Sequence, residues 1–178
     1  RHEYVHTVTL SMTRNRIPHW LTEAIAVALE GVPPTFETCQ MLASAWRRDR
    51  LFDLDEINWA FVRPKAPTDR AQAYAQGRWM VGFMEERFGW DAIRALLAAY
   101  ADGAKEDEAM RRAFGIGRDE FARAFRAWAA GEVRAWGLDP QPPLRELALE
   151  LVEGDESAER RLREAREARL RKVVDAWT

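Results

Sequence analysis

Apolar residues recur along this chain at spacings of three and four, a pattern that is typical of amphipathic α-helices. No segment alternates convincingly between apolar and polar residues, so the chain is predicted to be all-α. We predict helices over 1–12, 18–30, 35–48, 54–61, 69–89, 91–101, 106–114, 119–136 and 155–172. The strongest apolar stripe lies in the fifth of these, and its members are Tyr74, Trp79, Met80, Phe83, Met84 and Phe88.

The ends of the first two helices are marked by residues with special backbone preferences. Pro18 suits the opening turn of the second helix, and Gly31 can end it in a left-handed conformation. The loop 13–17 is long enough for the two helices to pack antiparallel. On the first helix, the predicted packing side consists of Val5, Val8 and Met12.

Proline and charge divide the chain into three predicted regions. A helical domain covers 1–137, a Pro-rich linker covers 138–143, and a charged helical tail covers 144–178. Alternating Glu and Arg residues in the tail predict a solvated helix with ion pairs four residues apart. The alternative is that the tail begins a helical repeat or binds a protein partner.

Composition limits the classes of protein that this chain can belong to. Hydrophobic residues make up 47% of it, including eight Trp, which is enough for a sizeable core. The 27 Lys and Arg residues nearly balance the 29 Asp and Glu residues, so no basic surplus points to nucleic-acid binding. The longest apolar run, 24–29, is too short to cross a membrane. Because the sequence starts at Arg1, we expect it to be a piece of a longer protein.

All three histidines lie in the first 19 residues, and two of them belong to an HExxH motif. On a helix, His2 and His6 are one turn apart and can bind one metal ion, with Glu3 beside them and able to reach a metal-bound water. Glu23 directly precedes six apolar residues, where a carboxylate is costly to bury without a cation or a metal. Antiparallel packing would bring Glu23 opposite His2 and His6. His19 is expected to be a loop or capping residue.

A second motif follows the first at a short distance. After His2-Glu3-x-x-His6 and a loop, the chain continues with Pro18-x-Trp20-Leu21-Thr22-Glu23 and small apolar residues. This combination closely resembles the peptidase MA-like branch of the gluzincin zinc metallopeptidases. The resemblance extends over roughly 1–136, with its specific part in the first thirty residues.

The resemblance implies a zincin-like helical subdomain whose upstream sheet lobe is missing from this chain. It implies that His2, His6 and Glu23 bind Zn²⁺ and that Glu3 is the general base in the hydrolysis of a peptide or protein substrate. Tyr74 is a candidate oxyanion donor, and core packing is the alternative role for its side chain.

Several residues qualify this interpretation. Ala24 replaces the glycine that is usual in the family, and Glu30 is a candidate for supporting the site from the same helical face as Glu23. Trp20 is expected to pack the two site helices together. Because His2 lies in a terminal turn, we expect reduced zinc affinity. The competing hypothesis is a catalytically silent, peptidase-derived helical scaffold or interaction module.

Overall fold

The computed structural model describes residues 1–139 and 156–178, and within them all regular secondary structure is α-helical. The prediction of an all-α chain is therefore confirmed. The helices are α1 (His2–Met12), α2 (His19–Glu30), α3 (Phe36–Arg47), α4 (Leu54–Val62), α5 (Asp69–Ala101), α6 (Glu106–Phe114), α7 (Arg118–Ala135) and α8 (Glu156–Trp177). No helix in these described parts is long and apolar enough to span a bilayer.

The long helix α5 is kinked at Gly89. The glycine has φ 78° and ψ 165°, which interrupts the helical backbone at the point where the sequence predicts one helix to end and another to begin. Gly31, at the end of α2, has φ 73° and forms the predicted left-handed cap. Both positions favour glycine, because a residue with a Cβ atom is strained at positive φ.

The chain divides into two compact units, Arg1–Trp128 and Ala129–Thr178. The predicted borders at 137, 138–143 and 144 stay predictions, since residues 140–155 lie outside the described part. In the second unit, α8 exposes most of its described side chains, including Leu170 and Val174. The role of the tail in binding a protein partner remains a prediction.

The core of the first unit is built around α5. Phe83 is almost fully buried and contacts aromatic rings of α7, with ring centroids 5.4 Å apart from Phe121 and 5.9 Å from Phe125. Trp79 lies with its edge toward Phe125, at 5.4 Å. These contacts make α5 a rigid support for the helices that pack on it, which include α2.

Helices α2 and α5 approach each other closely at Ala24 and Gly77. A Cβ atom added to Gly77 would lie 3.0 Å from the Cβ of Ala24. The alanine that replaces the usual family glycine is thus accommodated by a glycine on the facing helix. The position of α2, and with it that of Glu23, depends on this contact.

Replacing Gly77 with alanine should push α2 away from α5. Overpacking of this kind typically lowers the free energy of unfolding by about 1–3 kcal/mol. Gly82→Ala, on the same helix, is a matched control, because its added methyl group meets no atom within 4 Å. The control should be neutral or stabilising by about 0.5–1 kcal/mol, the helix preference of alanine over glycine. Equal urea midpoints for the two variants would contradict this account of the helix contact.

The prediction for the packing side of α1 is wrong for Met12, and the most buried residues of this segment are polar. Thr9 and Thr13 are buried, whereas Val5 and Val8 are only partly covered and Met12 is 46% exposed. The inward stripe is His2, His6, Thr9 and Thr13, at spacings of four, three and four. The apolar set lies about a quarter of a turn away on a helix of 3.6 residues per turn. Polar contacts with α2, described next, decide which side faces inward.

Candidate metal centre

Helices α1 and α2 form an antiparallel pair. The beginning of α1 meets the end of α2 through His2 and Glu30, while Thr9 meets Thr22 further along. The connecting loop reverses the chain with positive φ values at Arg14 (52°) and Asn15 (59°). The predicted antiparallel arrangement therefore places the HExxH motif beside the face of α2 that carries Glu23.

Three side chains converge between these helices. His2, His6 and Glu23 each offer one ligand atom, and these atoms all lie within 4.8 Å of one another. His2 Nε2 is 3.4 Å from Glu23 Oε2, and His6 Nε2 is 3.6 Å from Glu23 Oε1. The two imidazole rings meet edge to face, with centroids 4.7 Å apart. The structure thus brings together the three residues that the sequence predicts as metal ligands.

The second nitrogen of each histidine has its own partner on α2. His2 Nδ1 lies 2.7 Å from Glu30 Oε1, and His6 Nδ1 lies 2.9 Å from Thr22 Oγ1. An ionised carboxylate only accepts hydrogen bonds, so His2 must donate its Nδ1–H to Glu30. A neutral His2 then turns the lone pair of Nε2 toward Glu23. Ligand histidines are commonly held in this way by a partner on the other ring nitrogen.

The carboxylate of Glu23 is buried without sufficient polar partners. The residue is 9% exposed, and its Oε2 atom is shielded from solvent and has no hydrogen-bond partner. That oxygen faces the Nε2 of His2, so two lone pairs point at each other when the histidine is neutral. A cation between them removes the repulsion and satisfies the carboxylate. The donor set of two imidazole nitrogens and one carboxylate oxygen fits zinc.

Glu3 and Tyr74 lie at the same site. Glu3 is exposed on α1, directly after His2, and its charge acts on the hydroxyl of Tyr74. Burial is the main cause that raises the pKa of Tyr74, followed by the charge of Glu23 and a hydrogen bond to it. The ring of Tyr74 also packs edge to face on Phe61, at 4.8 Å. Tyr74 thus packs on a core residue while its hydroxyl interacts with Glu23, and its role as an oxyanion donor stays a prediction.

His19, which was expected to be a loop or capping residue, lies close to Glu23. It is the first residue of α2, is about half exposed, and has its Nε2 3.8 Å from Glu23 Oε1. Its ring contacts Phe61 edge to face. His19 does not belong to the group of three converging ligand atoms.

The start of α2 is anchored by contacts that the sequence did not reveal. Trp20 is fully buried, and its Nε1–H donates to Glu106 Oε1 on α6 at 2.9 Å. Its backbone N–H donates to Asn58 Oδ1 on α4. Arg118 completes the network, with Nε 3.2 Å from Glu106 Oε2. The hydrogen bonds of Trp20 thus tie α2 to α4 and α6. The expectation that Trp20 also packs α1 against α2 stays a prediction.

Burial raises the pKa of Glu106, although the hydrogen bond from Trp20 and the charge of Arg118 oppose the shift. Between its ordinary value of 4.5 and the higher folded-state value, the folded protein holds more protons than the unfolded one. The contribution of Glu106 to stability must then decrease as the pH rises through this window.

Relative to Glu106→Gln, the wild-type protein should therefore become more stable as the pH falls from about 7 to about 5. Urea unfolding of both proteins at both pH values measures this change, and the comparison cancels the other carboxylates. A difference in unfolding free energy that does not vary with pH would contradict the assignment.

Together, the fold and the cluster define a helical scaffold that carries a candidate metal centre of the HExxH-plus-glutamate kind. Comparison with protein families shows which superfamily the chain belongs to. The model of the Peptidase MA superfamily matches residues 1–131, and the chain belongs to this superfamily. No curated protein and no solved structure matches the chain.

Sequence reasoning found the residues that point into the site but missed most of those that hold them. Glu30 was a candidate because it shares a helical face with Glu23. The inward spacing of Thr9 after His2 and His6 was a usable signal for the buried hydroxyls. Glu106 and Arg118 gave no such signal, since they are more than 80 residues from the second motif.

Proposed function

We propose that this protein is a zinc-dependent metallopeptidase. The observation that supports the proposal most strongly is the convergence of the ligand atoms of His2, His6 and Glu23. One carboxylate oxygen of Glu23, Oε2, is buried there without a hydrogen-bond partner. Membership of the Peptidase MA superfamily supports peptide bonds as the substrate class. Three protein ligands are also the number that catalytic zinc sites use, because a fourth position stays open for water or substrate.

In this proposal, His2 and His6 bind the metal through Nε2, and Glu23 binds it through its carboxylate. When bound, zinc acts as a Lewis acid that lowers the pKa of water toward neutrality and polarises a substrate carbonyl. Glu30 and Thr22 hold the two imidazole rings through Nδ1. The ligand atoms are therefore oriented before the metal arrives, which reduces the ordering that binding requires.

Glu3 is the proposed general base. Its position next to His2 places it on the ligand-bearing helix, and its exposed carboxylate has access to substrate and water. Glu3 takes a proton from the attacking water and then donates it to the amine that leaves from the cleaved peptide bond. This route requires an ionised Glu3 at the start of each cycle.

Tyr74 is the proposed hydrogen-bond donor to the oxyanion. Because its pKa lies above the ordinary value of 10.0, the phenol is protonated at neutral pH and its hydroxyl is a donor. The edge-to-face contact with Phe61 fixes the ring. A donor that is already oriented stabilises the charge that develops on the carbonyl oxygen without a reorganisation cost.

Chelation tests the metal dependence of the activity. Hydrolysis of a mixed peptide library should stop when 1,10-phenanthroline is added and return when zinc, but not magnesium, is restored in excess. The 1,7 isomer of phenanthroline, which cannot chelate a metal through both nitrogens, is the matched control. Hydrolysis that is insensitive to the chelating isomer would contradict the proposal.

A further inference from the structure

Two buried threonine hydroxyls lie directly behind His6. Thr9 and Thr22 are 3% and 4% exposed, and their Oγ1 atoms are 2.8 Å apart. The Oγ1 of Thr22 also lies 2.9 Å from His6 Nδ1, while the hydroxyl of Thr9 donates to the backbone carbonyl of Val5 at 3.0 Å. These contacts form a continuous chain from the imidazole through both side chains to the backbone of α1.

The carbonyl at the end of this chain determines the direction of every hydrogen bond in it. A carbonyl only accepts, so the single hydroxyl proton of Thr9 is used on Val5. Thr9 Oγ1 must then accept from Thr22, and Thr22 Oγ1 must accept from His6 Nδ1–H. A neutral His6 with a proton on Nδ1 has a bare Nε2, and this nitrogen faces Glu23.

The opposite direction makes one hydrogen bond fewer, and an Nε2–H on His6 does not replace it, because Glu23 Oε1 lies 3.6 Å from Nε2. Thr9 would donate to Thr22 and give up its bond to the Val5 carbonyl, and Thr22 would donate to Nδ1. The proton of a neutral His6 would then be on Nε2, where it blocks the lone pair needed to bind a metal. Buried hydroxyls that lose a partner are costly, which favours the first arrangement.

We propose that Thr9 and Thr22 are positioning residues that select the metal-binding tautomer of His6. This inference rests on the proposed zinc site but concerns the free protein, where the tautomer is set before any metal binds. His2 is held by the charged Glu30 on the more exposed side of the site, whereas His6 is held by neutral hydroxyls on the buried side. Thr22 and Glu23 are consecutive, so one turn of α2 supplies both a ligand and the support of another ligand.

Zinc affinity of threonine variants tests the inference. Thr22→Val keeps the shape of the side chain but removes the hydroxyl, and it should weaken zinc binding by about 10–100-fold, as is typical for partners of ligand histidines. Thr22→Ser keeps the hydroxyl and should bind zinc nearly as well as the wild type. Thr9→Val should weaken binding in the same direction, because Thr22 is then free to donate to Nδ1.

Thr7→Val is the matched control, since Thr7 is an exposed threonine on the same helix. Competition with a chromophoric chelator measures each dissociation constant, and urea unfolding of the metal-free variants measures stability. If Thr22→Val loses stability but keeps the zinc affinity of the wild type, the hydroxyl pair is merely structural and the inference is overturned.

Nitrogen-15 NMR measures the tautomer of His6 directly in the metal-free wild-type protein, at a pH where the imidazole is neutral. This measurement requires neither zinc nor a folded variant. The proton of His6 should be found on Nδ1, and a proton on Nε2 would overturn the inference. A protein that shows the expected tautomer but binds no zinc would instead contradict the proposed function. The two failures are therefore distinguishable.

Discussion

Glu3→Gln should reduce kcat/KM for peptide hydrolysis by about 10²–10⁴-fold, the usual contribution of a general base. Glutamine has nearly the same shape but cannot take a proton from water. Glu3 is not among the converging ligand atoms, so zinc content should stay at the wild-type level. Steady-state kinetics and metal analysis on the same preparation measure both quantities.

Glu86→Gln removes another exposed carboxylate, on α5, and serves as the control that should leave kcat/KM unchanged. Two results would contradict the role of Glu3. Wild-type activity in Glu3→Gln would show that another group takes the proton. Loss of zinc together with activity would show that Glu3 acts by holding the metal.

Glu23→Gln should not lower the stability of the metal-free protein, but it should make the protein less stable than the wild type when zinc is present. Without metal, the wild-type carboxylate is buried with an unpartnered oxygen that faces the lone pair of His2 Nε2. A glutamine amide at this position can donate to that nitrogen, so the metal-free variant should be at least as stable as the wild type.

With free zinc at about 100 times its dissociation constant, the wild type should gain about 2.7 kcal/mol of unfolding free energy. The variant should gain much less, because it lacks the anionic ligand. Urea unfolding with a chelator and with excess zinc measures both states. The scaffold hypothesis predicts that zinc changes the stability of neither protein, and that result would contradict the metal site.

The candidate site could be predicted from sequence because helical geometry places its residues. A spacing of four puts His2 and His6 on one face, and a glutamate in front of an apolar run needs a partner wherever it is buried. The loop length then leaves antiparallel packing as the simple solution. None of these steps requires knowledge of contacts between distant parts of the chain.

The helix ends were predictable for a similarly local reason. Gly31 and Gly89 adopt positive φ values where the helical pattern breaks, and a glycine signals this without reference to the rest of the fold. The side of α1 that packs was not predictable by counting apolar residues. The hydrogen bonds that join Thr22 to His6 and to Thr9 lie on the inward side of α1, whereas Met12 is exposed.

The anchoring of α2 depends on contacts that sequence spacing does not encode. Trp20 and Glu106 are separated by 86 residues, yet they share a hydrogen bond in the core. A partly buried carboxylate at the start of α6 looks from sequence like an ordinary acidic residue in the first turn of a helix. Only the packing of α2, α6 and α7 makes it a partner for Trp20 and Arg118.

Metal content tests the central claim most directly. The purified protein, dialysed against excess zinc and then against zinc-free buffer, is measured by mass spectrometry beside a His2→Ala/His6→Ala double variant. The account predicts about one zinc per wild-type chain and none in the double variant, with α-helical content unchanged by circular dichroism. Zinc-free wild-type protein, or equal zinc in both proteins, would contradict it.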